Sequence, residues 1–234
     1  MMKLIKYSTF IVILILTACF VHADETKNRC AVIIGVEKYE NFSTLRSAKN
    51  DAIKMAGFFK KAGYEKVVLL DTKDYNTVIT KDRVIDNLKQ IAQDFQNTLS
   101  EFVFFFAGHG INSGTSSYLC LADSTVEDPS SMISVEGDLL PVVEEIGADL
   151  SFFMLDACRT MIHDYQDFKV FTGPLNPDKS LIILYAASPG ASSYESKDGT
   201  GSYFTRVILD SFMYARPGLS GIVDYVTTFL PSIT

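Results

Sequence analysis

The sequence predicts an α/β fold in which a mostly parallel central sheet is flanked by helices on both faces. Two observations predict it. Five short runs are apolar along nearly their whole length, and several of the stretches between them place apolar residues at helical spacing. A strand that is apolar on both sides must be covered on both sides, and parallel neighbours need crossovers long enough to hold a helix. The chain has 234 residues, 47% of them apolar, enough to bury such a core, and disorder is excluded.

The first run is "CAVIIGV" (30–36), a buried strand ending near Gly35. In the next stretch Ala52, Met55, Ala56 and Phe59 recur at helical spacing, and Gly63 after Lys60 and Lys61 marks a helix stop. "KVVLLD" (66–71) is the second strand. Thr80 is a candidate N-cap for a helix with Val84, Ile85, Leu88 and Ile91 on one face. "EFVFFFAGHG" (101–110) is the third strand, and "SSYLCLADS" (116–124) reads as a short hairpin strand. "SVEGDLLPVVEEI" (134–146) reads as a helix with Pro141 in its first turn. "LSFFMLDACR" (150–159) and "SLIILYAAS" (180–188) are the fourth and fifth strands. Two further helices are expected, in "GTGSYFTRVILDSFMYA" and "SGIVDYVTTFL". No repeat or linker divides the chain, so one domain is expected over residues 27–234.

Residues 1–23 have Lys3 and Lys6, an apolar stretch and the exit "VHA", the pattern of a secretory signal peptide. Cleavage after Ala23 is the preferred reading and predicts export from a bacterial cytoplasm, to the periplasm or beyond. "LTAC" also resembles a lipobox, which keeps open a lipoprotein anchored at Cys19, and an uncleaved membrane anchor is a third alternative. The net charge of -7 and the lack of basic clusters exclude nucleic acid as the partner.

Four cysteines occur, and Cys19 lies in the leader. Cys30, Cys120 and Cys158 remain, so at least one thiol is unpaired. Cys30 and Cys120 are read as small buried apolar residues, with a disulfide between them left open. Among three histidines, His22 belongs to the leader and His163 falls in a loop, where it is taken as a surface residue. His109 and Cys158 both end apolar runs, and ligands gather at the carboxyl ends of parallel strands. An imidazole beside a thiol takes its proton and returns one to a leaving amine. The backbone N–H groups of Gly110 and Cys158 are placed to bind the resulting oxyanion. Each signal alone fits ordinary packing or a turn, and it is their combination that points to catalysis.

"FFFAGHG" and "LDACR" resemble the histidine and cysteine motifs of caspase-like peptidases, above all metacaspases, paracaspases and their bacterial relatives in peptidase family C14. Cys158 follows His109 by 49 residues, a spacing that belongs to the caspase pattern. "LRSAKNDA" and "YAASPGASSYE" with "GTGSYFTRVIL" extend the likeness over about residues 30–215. The resemblance implies a caspase-type sandwich and a cysteine endopeptidase with His109 and Cys158 catalytic. It also implies that Asp51 and Asp156 line the pocket for the residue before the scissile bond, and hence cleavage after Arg or Lys. Strand alternation places Asp156 on the same side as Cys158. Paired carboxylates suit a guanidinium and repel an aspartate. The competing roles are structural: a helix N-terminal acid for Asp51 and a loop acceptor for Asp156. Ala48 and Ala107 depart from the polar residues that metacaspases often place in this pocket. Arg46, the nearby candidate for an acid-binding pocket of true caspase type, is taken as a surface residue or loop anchor.

The substrate is expected to add as an extended strand beside residues 186–195, with Ala187, Ser188 and Glu195 at the contact. A plain loop fits the same composition, and Glu195 then serves as a loop cap. Residues 160–179 offer little room for a long processed linker, so a single-chain, monomeric enzyme with a protein or peptide substrate is expected. No acid cluster has the spacing of a calcium loop, so no metal ligand and no cofactor is assigned, and calcium activation is left open. The rival readings are a legumain-like or gingipain-like peptidase of other specificity, a catalytically silent caspase-like binding module, and a flavodoxin-type domain without chemistry at these residues.

Overall fold

The computed structural model describes residues 28–71, 78–113, 116–158, 160–161, 178–187, 194, 196, 200–216 and 218–233. The expected leader, with Cys19 and its cleavage site, lies outside them, as do His163, Ser188 and Glu195.

Five strands form one parallel sheet: β1 (Asn28–Gly35), β2 (Lys66–Asp71), β3 (Leu99–Gly108), β7 (Leu150–Ala157) and β9 (Ser180–Tyr185), in the order β2-β1-β3-β7-β9. The helices are α1 (Ala48–Lys61), α2 (Lys81–Phe95), α3 (Leu140–Ile146), α4 (Tyr203–Tyr214) and α5 (Leu219–Ile233). Alternation along each strand explains why the runs are apolar throughout. Val32, Ile34, Phe104, Phe106 and Phe153 face a core closed by α2 and α3. Ile33, Val103, Phe105, Phe152 and Met154 face the other, closed by α1, α4 and α5. A two-sided sheet of this type leaves its strand ends, not its faces, to carry chemistry.

The helix signals act where the sequence places them. Thr80 accepts from the Arg83 N–H at 3.4 Å and caps α2. Beyond α1 the Gly63 N–H donates to the Lys60 carbonyl at 3.2 Å and turns the chain toward β2. The Pro141 helix differs from expectation. Residues Val135–Leu139 form a π-helical turn, and α-helical geometry begins at Leu140 with Pro141 in its first turn. Proline has no N–H to donate to the carbonyl four residues back, so the preceding turn is free to widen.

A second sheet was not foreseen beyond one hairpin strand. β4 (Gly110–Ser113), β5 (Ser116–Leu119), β6 (Ile133–Ser134) and β8 (Thr160–Met161) pair in the order β6-β5-β4-β8. These strands are two to four residues long, and several are polar, so they carry no periodic signal. The change of sheet falls at His109, between the end of β3 and the start of β4.

Cys30 and Cys120 are buried free thiols in different core clusters, so the disulfide left open above does not form. Burial pushes each thiol up to about 12. Among the described residues no helix is long and apolar enough to cross a membrane.

Candidate active site

Register brings the two motifs together. β3 and β7 lie side by side with Ala107 opposite Asp156 and Gly108 opposite Ala157. His109 and Cys158 are the next residue on each strand, just beyond the last pair. They line one cavity together with Asp51, Asp156, Tyr194 and Ser202. Cys158 is part-exposed, whereas Cys30 and Cys120 are fully buried, and it is a thiol rather than half of a disulfide.

The loop after β1 grips the histidine at several points. The Ser43 carbonyl lies 2.7 Å from His109 Nε2, and the Ser43 hydroxyl 3.3 Å from it. A carbonyl oxygen can only accept, so Nε2 carries a hydrogen, and in the neutral ring Nδ1 is the nitrogen with the lone pair. The His109 backbone N–H donates to Tyr39 Oη at 2.8 Å. The imidazole packs against the rings of Tyr39 and Phe42, with centroids 4.8 and 5.7 Å away. Burial raises the Tyr39 hydroxyl well above its ordinary range, so it stays a neutral phenol. Sequence reasoning passed over Tyr39, Phe42 and Ser43. A backbone carbonyl leaves no mark in a sequence, although two aromatics in a polar loop beside a strand end were a readable signal.

Gly110 packs directly on the cysteine segment. A Cβ there would come 2.6 Å from the Cys158 carbonyl oxygen and 2.9 Å from Ala157 Cβ, so only glycine allows this approach. The backbones of the two expected oxyanion donors are thus neighbours.

The acids converge from separate elements. Asp51 stands in the first turn of α1 and Asp156 near the tip of β7; they are 1% and 5% exposed. Both reach the N-terminus of α4. Asp51 Oδ2 accepts the Ser202 N–H at 2.9 Å. Asp156 Oδ2 accepts the Ser202 hydroxyl and, at 2.8 Å, the Thr205 hydroxyl. Ser202 Oγ in turn accepts the Thr205 N–H at 2.9 Å as the helix cap. A buried carboxylate is tolerable when hydrogen-bonded and set at the positive end of a helix. The acids thus line the cavity and also hold the N-terminus of α4. Neither signal showed that Ser202 joins them.

Ala187 is buried just past β9 and is not among the described residues that line the cavity. Tyr194 lines it, and its carbonyl accepts from the Tyr203 N–H at 3.2 Å, tying that stretch to the start of α4. Arg46 is exposed. No group of three or more His, Cys, Asp or Glu side chains among the described residues is arranged to hold a metal ion.

Comparison with known proteins bears on the family and the fold. Residues 28–231 match the family model of the caspase domain of C14 peptidases. A paracaspase of Dictyostelium discoideum is 25% identical over 186 residues, which span 77% of this chain and 43% of that relative. The chain thus spans less than half the length of the curated relative it matches. Among solved structures, a protein of Geobacter sulfurreducens superposes with a TM-score of 0.66 at 15% identity, covering 86% of this chain and 89% of that one. Caspase-1 of Spodoptera frugiperda gives 0.61 at 15% identity, covering 86% and 75%. At such identities the structural likeness speaks for the fold.

Proposed function

The chain belongs to the caspase-domain family of peptidases, and on that premise we propose that it is an exported cysteine endopeptidase that cleaves after arginine or lysine. The observation that carries this reading is the β3–β7 register, which sets His109 and Cys158 side by side at one cavity with two buried carboxylates.

In the reaction, His109 Nδ1 takes the thiol proton of Cys158 as sulfur attacks the substrate carbonyl carbon. Ser43 steadies the imidazolium through Nε2–H. The tetrahedral oxyanion is met by the backbone N–H groups of Gly110 and Cys158, each worth about 3 kcal/mol in comparable sites. His109 then gives its proton to the leaving nitrogen, the C–N bond breaks, and an acyl thioester remains. Water, losing a proton to His109, releases the acid and restores the thiol. These steps use only side chains, backbone and water.

Asp51 and Asp156 supply the preference for a basic residue. Buried carboxylates attract a guanidinium strongly and repel an acidic side chain. The leader is removed after Ala23 in this reading, and N-terminal sequencing of the exported protein would then begin at Asp24. Labelling with a fatty acid at Cys19 would replace that step by lipidation.

The decisive experiment compares the purified mature protein with Cys158→Ala on fluorogenic peptides ending in arginine, citrulline or aspartate. Turnover of the arginine peptide alone, lost in the variant, is the expected result. Equal turnover of all three would remove the basic preference, and no turnover with unreactive Cys158 would leave a caspase-like binding module.

A further inference from the structure

Lys54 lies one turn along α1 from Asp51 and reaches the same carboxylate from outside the cavity. Its Nζ is 4.0 Å from Asp51 Oδ1, with side-chain exposures of 44% for Lys54 and 1% for Asp51. The same ammonium donates to the Thr200 carbonyl. Thr200 leads through Gly201 to Ser202, whose N–H binds the other oxygen of Asp51. The packing is tight: a Cβ on Gly201 would come 2.4 Å from Asp51 Oδ1 and 3.0 Å from Lys54 Nζ. Among the described residues lining the cavity there are two carboxylates and one imidazole but no lysine or arginine. Lys54 is therefore a fixed positive charge held against the pocket's acid without entering the pocket.

Resting on the reading of this cavity as a site for a basic side chain, we propose that Lys54 is a specificity-determining residue whose ammonium offsets part of the acid pair. A nearby ammonium cancels part of the field of a buried carboxylate. The same ammonium opposes an incoming guanidinium. It thereby sets how strongly the pocket prefers a charged side chain to a neutral one of equal shape. Citrulline is that neutral shape, so the charge on Lys54 acts on the ratio of arginine to citrulline and not on turnover in general. Because Lys54 is partly exposed, its field is screened, and an effect of about threefold is expected.

The test measures kcat/KM for arginine and citrulline peptides with the mature protein, Lys54→Met, Lys54→Arg and Lys60→Met. Lys60 lies in the last turn of α1 and removes the same charge away from the cavity. Lys54→Met should raise the arginine-to-citrulline ratio about threefold, through KM, and the gain should shrink between about 0.05 and about 0.5 M salt. Lys54→Arg should restore the original ratio, and Lys60→Met should leave it unchanged. Where citrulline turnover is too slow, inhibition constants of the matching peptide aldehydes give the same ratio. If Lys54→Met misfolds, Lys54→Gln is judged by the same criteria. An unchanged ratio, or an equal fall for both peptides, would show that Lys54 only pins Thr200 and would overturn the proposal. A wild-type protein without arginine preference would overturn the pocket reading itself, and this inference with it.

Discussion

The carbonyl oxygen of Ser43 accepts a hydrogen bond from His109 Nε2 at 2.7 Å. One backbone atom thus decides which imidazole nitrogen can take a proton. In the neutral protein His109 should be the Nε2–H tautomer, with Nδ1 unprotonated. Long-range proton–nitrogen correlation spectra of Cys158→Ala, with imidazole nitrogens labelled, report this directly. An Nδ1–H tautomer would make the arrangement unfit for the proton transfer described above.

Tyr39→Phe keeps a ring against the imidazole and removes the acceptor of the His109 N–H. A part-buried donor left unpaired costs at most about 1–3 kcal/mol, so Tm falls. Because the histidine's anchor is lost while substrate contacts stay, kcat should drop about tenfold with KM near its original value. A lowered Tm with unchanged kcat would limit Tyr39 to a role in stability.

Thiol chemistry should be selective. Cys30 and Cys120 are raised to about 12 by burial and stay protonated at pH 8, whereas Cys158 is part-exposed at the cavity. Iodoacetamide reacts with thiolate, so mass spectrometry should find Cys158 modified and the other two spared. Labelling of Cys30 or Cys120 in the folded protein would contradict their packing.

The same two thiols predict a pH dependence of stability. Their folded values lie above the unfolded value of about 9, so the folded state holds more protons in between. Their stabilising contribution is full below pH 9 and is lost as pH rises toward 12. Thermal melts should show Tm declining over that window, less steeply in Cys30→Ala or Cys120→Ala.

Asp156 offers a separation of structure from specificity. Asp156→Asn retains an oxygen to accept from Ser202 and Thr205 but loses the charge. Its Tm should change little, while KM for arginine peptides rises about tenfold. Asp156→Ala abandons both hydroxyls as well, and should also lose about 1–3 kcal/mol of stability by denaturant titration. Equal destabilisation by both variants, with KM unmoved, would assign Asp156 to holding α4 alone.

Which features were legible follows from how far each signal reaches. The runs around Ile33, Phe105 and Phe153 declare buried strands by themselves, because each residue's own apolarity reports its burial. Thr80 and Gly63 act within a turn of where they stand. His109 and Cys158 were legible as candidates, because each ends such a run with a residue type that can carry chemistry. Strand limits were read slightly long: β3 stops at Gly108 and β7 at Ala157, so both side chains lie past the ladder and not within it.

Tertiary structure alone decided the rest. The order β2-β1-β3-β7-β9 makes strands neighbours that are far apart in the chain, and no local periodicity encodes that pairing. Ser43 contributes a backbone carbonyl, a group every residue possesses, so its identity announces nothing. Asp51 and Asp156 meet only because α4 docks with Ser202 between them, 151 residues from the first and 46 from the second. The sequence determined which side chains could be buried and which could react. Long-range packing determined which of them face one another, because hydrogen bonding and close contact depend on positions in space that the whole chain must close to create.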